Sequence, residues 1–574
     1  MRSNGQCLGD GNGSANVGRG ARGAPCRIRR GFSCLLLCIV LPALASAQSG
    51  WHFEDVSVAS RARVEHGLQF GFSGEPGMMA GGAAAGDLDG DGDPDLVVIT
   101  GDLSAPRVLL NRGDGVFDPA DSGLPALGIY NGATLVDLDG DGLLDLITGG
   151  LDGQGLRLFR NLGAARFQEI TAASGIAVAG DTWSAALADF DGDEILDLAL
   201  GRWARGEGRS GHLWRGLGAG NFANADADLA IAPELAQLAY TFTPNFGDID
   251  GDGRPDLLMA GDFGTSRVLL NRGGRFVNAT TPVIDDENGM GAALADYDND
   301  GDLDWFVSSI WDPDGVAFGN WGVTGNRLYR NRGDGSFEEV SQAAGVRQGW
   351  WGWASCFSDF NNDGHLDLVH VNGMSAAPAI EFHADPTRLF MADGNGGFSE
   401  QSSLRGLIDT GQGRALVCFD ADGDGDIDLF VQNNTGYSRL FRNVGGNSNN
   451  WLTVRLRNRA PNGFAIGARI TLRAGGLTQT REVQAGSNYL ASNPPEAHFG
   501  LGDASAVESL TVRWPDGFVE SFPALAANQV VSLQRGELPL PAVAISSGGA
   551  VALLTLVLLL LSAGLLQLKP GTSS

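Results

Sequence analysis

Basic residues are scarce in this chain. Its 574 residues include 39 Lys and Arg against 68 Asp and Glu, which gives a net charge of −29. Nucleic acids carry dense negative charge and bind basic surfaces, so this balance argues against a nucleic-acid-binding protein. Glycine is abundant, at 86 residues, and 43% of the residues are apolar, enough to form a core. The composition predicts an acidic, turn-rich, all-β protein.

Cysteine is also rare. Four of the six cysteines fall within the first 47 residues, which leaves Cys356 and Cys418 in the rest of the chain. Two cysteines are too few for a domain held together by disulfides. Each precedes an aspartate, Cys356 by three residues and Cys418 by two, so alternation along a strand places them on opposite faces of their sheets. We expect two buried free thiols.

The N-terminal segment differs in character from the rest of the chain. An apolar run from Phe32 to Leu44 follows several arginines, and Ala45-Ser46-Ala47 has the small-x-small pattern of a cleavage site. This pattern predicts a secretory signal peptide over residues 1–47 and therefore an exported protein.

A second uncharged segment covers residues 543–568, after a short linker at 537–542. As a helix at about 1.5 Å per residue, it is longer than the roughly 30 Å hydrocarbon core of a bilayer. It predicts a transmembrane helix with residues 569–574 as a short cytoplasmic tail, which would anchor the protein in the cell envelope or at the cell surface with its bulk outside the cytoplasm. A removable C-terminal sorting tail would have the same composition.

An aspartate-rich loop recurs seven times. The first copy is DLDGDGDPDL, from Asp87, and further copies begin at Asp137, Asp189, Asp248, Asp296, Asp359 and Asp420. A repeat length near 50 residues, with short strand-like segments, predicts a propeller or a solenoid.

Each repeat has the same order of segments. A strand of small residues precedes the loop, an aliphatic strand follows it, a third segment ends near Arg-Asn in five repeats, and in six repeats a fourth begins at a phenylalanine. Four strands per repeat form one blade of a β-propeller. The seventh repeat lacks the phenylalanine strand, whereas Phe53-Glu54-Asp55-Val56 stands alone before the first repeat. We therefore predict a seven-bladed propeller over 48–446, in which this N-terminal strand completes the last blade and leaves no exposed sheet edge.

The loops have the donor pattern of a metal site. Carboxylates at loop positions 1, 3, 5 and 9, a backbone carbonyl at position 7 and glycine at position 6 suit a hard cation with six to eight oxygen ligands, and calcium better than magnesium. Asp-Gly pairs also occur in simple hairpin turns, but a turn needs no acid at four positions. The predicted ligands are Asp87, Asp89, Asp91, Asp93 (through its carbonyl) and Asp95; Asp137, Asp139, Asp141 and Asp145; Asp189, Asp191, Asp193 and Asp197; Asp248, Asp250, Asp252 and Asp256; Asp296, Asp298, Asp300 and Asp304; Asp359, Asn361, Asp363 and Asp367; and Asp420, Asp422, Asp424 and Asp428.

Two loops depart from the pattern. Glu194 stands where glycine is expected in the third, and Asn361 replaces an aspartate in the sixth. We expect up to seven Ca²⁺ ions with a structural role, with the third and sixth sites binding most weakly.

The repeated D-x-D-G-D-G-x-x-D-L loops resemble the FG-GAP repeats of integrin α-subunit propellers and the related VCBS-type repeats. Downstream, the motifs NWLTVRL, GARITLRAGG, HFGLGD and VRWPDG resemble the ASPIC/UnbV domain. The combination resembles the cartilage-acidic-protein family of exported proteins. Short alternating strands separated by Gly, Asn and Pro predict a small β-sandwich over 447–536, with core or turn roles for His498 and Trp514.

The resemblance to integrin propellers implies that a ligand binds on the face opposite the metal loops. Seven residues, each six positions before a loop, lie at the entries to the inner strands, and three long loops carry aromatic and polar residues. Exposed aromatic side chains beside polar groups suit stacking on sugars or anchoring a protein partner, although packing between blades is a competing role. The ligand candidates are Trp183, Phe242, Trp353, Arg414, Trp203, Trp311, Trp321 and His383.

The sequence leaves three functions open. The leading interpretation is a calcium-stabilised cell-surface binding or adhesion protein that recognises a glycan or an extracellular protein. A carbohydrate-active enzyme such as a polysaccharide lyase is an alternative, since fold alone does not decide function, but the chain contains no nucleophile elbow, H-E-x-x-H motif or phosphate loop. A scaffold for envelope assembly is the third.

Overall fold

The fold of this chain was obtained as a computed structural model. It describes residues 50–536 apart from 69–74, 127, 179, 204–210, 227–239, 313–321, 376–379 and 487. The predicted signal peptide, linker, transmembrane segment and cytoplasmic tail lie outside the described residues. Within the described part of the chain, no helix is long and apolar enough to cross a membrane.

Each repeat forms an antiparallel four-stranded sheet, and the strands lie close to where the sequence predicts them. Strand β1 is His52–Asp55, followed by the short helix α1 at Glu75–Met79. The first three sheets contain β2 (Ala83–Gly86), β3 (Asp95–Val98), β4 (Arg107–Asn111) and β5 (Phe117–Pro119); β6 (Tyr130–Val136), β7 (Asp145–Gly150), β8 (Arg157–Asn161) and β9 (Phe167–Glu169); and β10 (Ala185–Ala188), β11 (Asp197–Leu200), β12 (Leu213–Gly218) and β13 (Asn221–Asn224).

The other four sheets continue the pattern. They contain β14 (Thr241–Gly247), β15 (Asp256–Gly261), β16 (Arg267–Asn271) and β17 (Phe276–Asn278); β18 (Ala292–Ala295), β19 (Asp304–Val307), β20 (Arg327–Asn331) and β21 (Phe337–Glu339); β22 (Gly352–Ser358), β23 (Asp367–Asn372), β24 (Arg388–Ala392) and β25 (Phe398–Glu400); and β26 (Gly413–Phe419), β27 (Asp428–Asn433) and β28 (Arg439–Val444) with β1. A helical turn, α2 (Ser341–Ala344), follows β21, and a 3₁₀ turn covers Ile380–Ala384.

The seven sheets form a closed ring. The first strand of each sheet contacts the first strand of the next, and β26 of the seventh contacts β2 of the first. Strand β1 pairs antiparallel with β28, with Phe53 opposite Asn443. The predicted closure by the N-terminal strand is confirmed, and the arrangement is that of a seven-bladed β-propeller. The inner strands β2, β10 and β18 consist mainly of small residues because neighbouring blades approach closely there, as at Ala83, Ala84 and Ala85, which are fully buried.

The C-terminal domain, residues 447–536, begins within a 3₁₀ turn at Gly446–Ser448 and contains two larger sheets and a short two-stranded sheet that share an apolar core. One sheet has the order β33-β29-β38 and the other β31-β30-β35-β36. The strands are β29 (Asn450–Arg457), β30 (Arg469–Ala474), β31 (Leu477–Glu482), β32 (Ala491–Ser492), β33 (Ala497–Gly502), β34 (Ala506–Val507), β35 (Ser509–Arg513), β36 (Val519–Phe522), β37 (Leu525–Ala526) and β38 (Gln529–Gln534). Trp514 lies in this core at 1% exposure, as expected.

The two remaining cysteines form a disulfide, so the expectation of free thiols is wrong. Cys356 on β22 and Cys418 on β26 are bonded through their sulfur atoms, with their Cα atoms 6.8 Å apart. The strands belong to neighbouring blades, which stack face to face. A residue on one face of one blade therefore meets a residue on the opposite face of the next. The opposite placement expected from the sequence is what a bridge between adjacent blades requires.

Candidate functional site

The aspartate loops have one backbone conformation. In the first loop, the Asp87 carboxylate accepts hydrogen bonds from the N–H groups of Gly90 (2.8 Å) and Gly92 (3.1 Å). Gly92, at position 6, has φ +100°, in the left-handed region that favours glycine. The bond from position 6 to position 1 recurs in the loops that begin at Asp137, Asp189, Asp248, Asp359 and Asp420. These bonds hold the first carboxylate in place before any cation binds.

The aspartate at position 9 connects three parts of each blade. Asp95 is the first residue of β3 and is fully buried; its carboxylate accepts hydrogen bonds from Leu88 N in the loop (2.9 Å) and from Asn111 N at the end of β4 (2.8 Å). The same pair of bonds forms at Asp145, Asp197, Asp256, Asp304, Asp367 and Asp428. Position 9 is therefore a structural residue of the blade as well as a candidate ligand.

The loops bring carboxylates together in groups of three. Within each group, one oxygen from each residue lies within 4.8 Å of the others, which is close enough to share a cation. The groups include Asp87, Asp89 and Asp95; Asp137, Asp139 and Asp145; Asp189, Asp191 and Asp197; Asp248, Asp250 and Asp252; and Asp296, Asp298 and Asp300. The first three groups use positions 1, 3 and 9, and the last two use positions 1, 3 and 5.

Several of these oxygens are buried and accept no hydrogen bond. Within the described part of the chain, they are Oδ1 of Asp191, of Asp248, of Asp298 and of Asp422, and both carboxylate oxygens of Asp296. A buried acceptor without a donor is costly unless a cation occupies its lone pairs. The residues therefore fit a hard cation such as calcium, which takes carboxylate oxygens as ligands.

Burial makes the charged form of the position-9 carboxylates costly. It raises the pKa of Asp95, of Asp145 and of Asp256 to about 7, and that of Asp197 to about 8. Neighbouring aspartates add to the effect, while the backbone N–H bonds oppose it. A divalent cation would offset both the desolvation and the repulsion, and so would stabilise the loops.

Arginines partly neutralise the same loops. Arg160 Nε lies 2.5 Å from Asp139 Oδ2, and its Nη2 lies 3.1 Å from Asp141 Oδ2. Arg272 bridges Asp250 and Asp252 in the same way, at 2.5 and 3.1 Å. These arginines come from the third strand of each blade or the residue after it, so they hold the loop against the sheet.

The two loops that depart from the pattern keep its backbone. Glu194 adopts φ +69° at the glycine position and still donates its N–H to Asp189 Oδ2 at 2.8 Å. Asn361 donates its side-chain N–H to Asp363 Oδ2 at 2.9 Å. Weaker metal binding at these two loops stays a prediction.

The C-terminal domain lies on the metal loops. Arg455 donates to the carbonyl of Gly92 in the first loop, and Arg469 donates to the carbonyl of Gly301 in the fifth, both at 2.6 Å. Arg513 forms an ion pair with Asp248, at 2.6 Å, in the fourth. The two domains fall in one compact unit. The metal-loop face is thus occupied by the protein's own C-terminal domain.

A segment of that domain enters the channel at the centre of the ring. We call residues 484–493 the channel segment. Its Ala491–Ser492 pairs in parallel with β2, and Asn488 accepts a hydrogen bond from Ser355 N (2.8 Å) while donating to Leu416 O (2.9 Å). Tyr489 is fully buried among aromatic rings, and its hydroxyl donates to Met79 O at 2.8 Å. Its ring centroid lies 6.4 Å from that of Trp183, 5.5 Å from Phe242 and 5.4 Å from Trp353.

Most of the predicted ligand residues are buried around the channel segment. Trp183, Phe242, Trp353, Arg414 and Trp203 are at most 1% exposed, so the expectation that they form an exposed surface is wrong. The Arg414 guanidinium stacks on Trp353 at 4.2 Å and donates to the carbonyls of Met78 and Gly373. These large side chains interrupt the small-residue pattern because they fill the channel around Tyr489. The group that these side chains surround is therefore a residue of the same chain, not an external ligand.

The remaining ligand candidates are scattered. Trp311 is half-buried under the guanidinium of Arg347 at 4.8 Å, His383 is half-buried, and Trp321 lies outside the described residues. His370 is fully buried, with its ring nitrogens 2.7 Å from Asn372 Oδ1 and 3.0 Å from Asn326 Nδ2. Both of its ring nitrogens are therefore engaged, which does not suit a metal ligand or an acid-base residue.

One groove lies where the sequence analysis named no candidate. On the face opposite the metal loops, the seventh blade carries a cavity of about 480 Å³, lined mostly by polar residues, with Tyr437 and Val58. The loop QNNTGYS (432–438) departs from the other blades in its amide content, which was the available sequence signal.

Comparison with known proteins supports the repeat assignment. Residues 87–148, 137–200, 248–307 and 312–370 match the FG-GAP-like repeat, and residues 458–539 match the family described as ASPIC and UnbV. Cartilage acidic protein 1 of Xenopus tropicalis is 31% identical over 307 residues, which cover 50% of this chain and 44% of that protein. The human protein is 31% identical over 314 residues, covering 50% and 43%. The chain thus matches less than half the length of these relatives.

A solved structure of an Agrocybe aegerita lectin that recognises non-reducing terminal N-acetylglucosamine is also similar. It is 21% identical and covers 56% of this chain and 79% of its own, with a TM-score of 0.37. A score this low indicates nothing about the ligand of this chain. On its sequence and its blades, the chain carries FG-GAP-like repeats followed by an ASPIC and UnbV domain, and it is a distant homologue of cartilage acidic protein 1 over half of its length.

Proposed function

We propose that this protein is a calcium-stabilised binding protein that recognises a glycan or a protein partner with the propeller face opposite the metal loops. One observation carries the proposal: the metal-loop face is covered by the C-terminal domain, through Arg455, Arg469 and Arg513. A partner therefore meets the opposite face, which is formed by the loops after the second strands and the entries to the first strands.

The position of the loops supports a structural role for calcium. Each site ties the first strand to the second, and its position-9 aspartate also bonds to the third strand or the residue after it, as Asp95 does with Asn111. A cation that binds only this folded arrangement stabilises it by linkage. In this proposal calcium stabilises the blades and the C-terminal domain that lies on them, and takes no direct part in partner recognition.

The disulfide supports a location outside the cytoplasm. Bonds such as Cys356–Cys418 form and persist in oxidising compartments and are rare in the cytosol. Peptide mapping of the chain purified under non-reducing conditions should recover one peptide that joins these two cysteines. Free thiols at both positions would remove this support.

Binding is tested directly with the purified full-length chain in calcium. The labelled protein is applied to an array of immobilised oligosaccharides and, separately, used to capture proteins from an extracellular fraction. The expected result is that the labelled protein is retained on some of the immobilised oligosaccharides without changing their mass, or that it captures a defined protein saturably. Release of shortened oligosaccharides would show catalysis instead, and absence of binding in both assays would contradict the proposal.

A further inference from the structure

The groove on the seventh blade is built from three segments on the same face. The chain at and after the end of β1 contributes Asp55, Ser57, Val58 and Arg63, the entry to β26 contributes residues 409–412, and the loop between β27 and β28 contributes residues 433–439. Metal loops join first strands to second strands, so these three segments all lie at the other end of the blade. We call this cavity the blade-7 groove; its volume of about 480 Å³ is in the range of small-ligand sites.

An aromatic ring forms one wall of the groove. Tyr437 is 44% exposed, an unusual state for a tyrosine in this protein, where Tyr130, Tyr329 and Tyr489 are each at most 1% exposed. The guanidinium of Arg63 lies 3.8 Å from the centre of the Tyr437 ring. This contact fixes the ring's orientation and leaves part of its apolar surface to solvent, as a site for stacking requires.

The floor of the groove is polar and preorganised. Asp409 is 3% exposed; its Oδ1 accepts from Gly411 N at 3.0 Å and lies 3.2 Å from Arg439 Nε, and its Oδ2 accepts from Asn433 Nδ2 at 2.9 Å. These contacts orient the Asn433 amide. Its Oδ1 is buried and accepts no hydrogen bond from the described residues. A buried acceptor left without a donor favours a ligand that brings a hydroxyl or N–H group.

The loop that carries Tyr437 is held in one conformation. Asn434 donates to Gly77 O (2.9 Å) and Ala80 O (2.7 Å), and the buried His66 accepts from Thr435 N at 3.1 Å. Thr435 itself has φ +48°, in the left-handed region, which is costly for a β-branched residue. Strain of this kind is retained where the surrounding contacts enforce it and is common at binding sites.

We propose that the blade-7 groove binds a sugar residue of a glycan, with the sugar ring against Tyr437 and a hydroxyl donating to Asn433 Oδ1. The chemistry favours a sugar because the groove pairs one exposed aromatic surface with closely spaced polar groups, whereas a site for an apolar ligand would be lined mostly by apolar side chains. This inference rests on the proposed function, since it assigns the binding face one of its two partner classes.

The test uses the oligosaccharide that retains the most labelled protein on the array. Its affinity for the protein is measured in solution by calorimetry. Tyr437→Ala should weaken binding about tenfold or more, because it removes the ring surface against which the sugar packs. Tyr437→Phe keeps the ring and should stay within about threefold of wild type. The matched control is Phe263→Ala, which removes an aromatic side chain of similar exposure, 52%, on the loop after β15 in the fourth blade. All variants are checked for an unchanged Tm.

The outcomes separate this inference from the proposed function. Loss of affinity in Tyr437→Ala with none in Phe263→Ala supports the groove. Equal affinities in wild type and Tyr437→Ala, or equal losses in both alanine variants, overturn it while leaving a binding face. Capture of a protein with no oligosaccharide binding overturns the groove alone, and failure of both assays overturns the proposed function with it.

Discussion

At the scale of single residues, Glu194 occupies a backbone position that the other loops give to glycine. The six equivalent glycines have φ between +87° and +100°, and Glu194 has φ +69°. The hydrogen bond to Asp189 is kept, so the sequence departure costs conformational energy and does not change the loop. A residue with a side chain in the left-handed region costs about 1–2 kcal/mol.

Replacing this residue should therefore stabilise the protein. We expect Glu194→Gly to raise the free energy of unfolding by about 1 kcal/mol in calcium, as measured by denaturant titration. The reciprocal control is Gly92→Ala at the same position of the first loop. Nothing lies within 4 Å of the added Cβ there, so only backbone strain acts, and stability should fall. A destabilised Glu194→Gly protein would contradict this account of the loop.

His370 should make the protein sensitive to acid. Burial lowers its pKa to about 3, and the nearby Arg388 acts in the same direction, against the hydrogen bond with Asn372. In the unfolded chain the pKa is about 6.5. Below pH 6.5 the unfolded state thus takes up a proton that the folded state does not, so stability falls as the pH decreases towards 3 and is unaffected above 6.5.

The matching variant isolates this residue from the other titrating groups. The side chain in His370→Gln cannot titrate, so the free energy of unfolding of this variant should increase relative to that of wild type by about 1 kcal/mol between pH 6 and pH 5. Both proteins are measured in excess calcium by denaturant unfolding. Parallel pH profiles would show that His370 does not contribute.

At the scale of elements, the channel segment is the least local part of the fold. Tyr489 contacts Trp183, Phe242 and Trp353, which lie in three different blades. Its hydroxyl also donates a hydrogen bond to Met79 O, just before the first blade. One side chain therefore joins distant parts of the ring. Its removal would leave a cavity that the surrounding rings cannot easily fill.

We expect Tyr489→Ala to destabilise the protein by about 3–5 kcal/mol, the usual cost of truncating a buried aromatic residue. Tyr489→Phe removes only the hydroxyl and its bond to Met79 O, and should cost about 1 kcal/mol. Thermal melting of the two variants in calcium measures both effects. Equal Tm values for wild type and Tyr489→Ala would show that the channel segment does not hold the ring.

The sequence predicted the elements that depend on local pattern. The strands, the aspartate loops and the closure by Phe53 follow from a motif repeated at near-constant spacing, which needs no knowledge of distant contacts. The channel segment has no such motif, and its partners are between about 70 and 410 residues away. Trp183, Phe242 and Trp353 each lie six residues before their loop, among residues that are otherwise small, so the sequence marks them as unusual. The sequence does not identify the residue that they contact, because no pattern shows where residues 484–493 lie.

At the scale of the whole molecule, the metal loops connect the ring of blades to the C-terminal domain. The loops support the blades, and the C-terminal domain rests on the carbonyls of Gly92 and Gly301. Cation binding and docking of the domain should therefore stabilise each other, because each holds the loops in the conformation that the other needs.

Removing calcium should destabilise the entire assembly. With site affinities of about 10⁻⁴ to 10⁻³ M, each site should contribute about 0.4–1.4 kcal/mol at about 1 mM calcium, so up to seven sites should together raise the Tm by about 3–10 °C. Melting is followed by scanning fluorimetry in calcium, in magnesium and in excess EDTA. Asp87→Asn, in the first loop, should reduce the calcium-dependent shift, whereas Asp118→Asn, at an exposed ion pair with Arg61 outside the loops, should not. An unchanged melting curve in EDTA would contradict the metal assignment.

The channel segment also has a consequence for how such proteins can diversify. Repeats are readily duplicated or deleted, and a propeller that lacked an axial segment could gain or lose a blade and close again at a new diameter. Here the chain after the ring reaches inner strands around the channel, from β2 to β10, β22 and β26. A ring of six or eight blades would crush this segment or leave gaps around it. The C-terminal domain therefore constrains the blade number to seven.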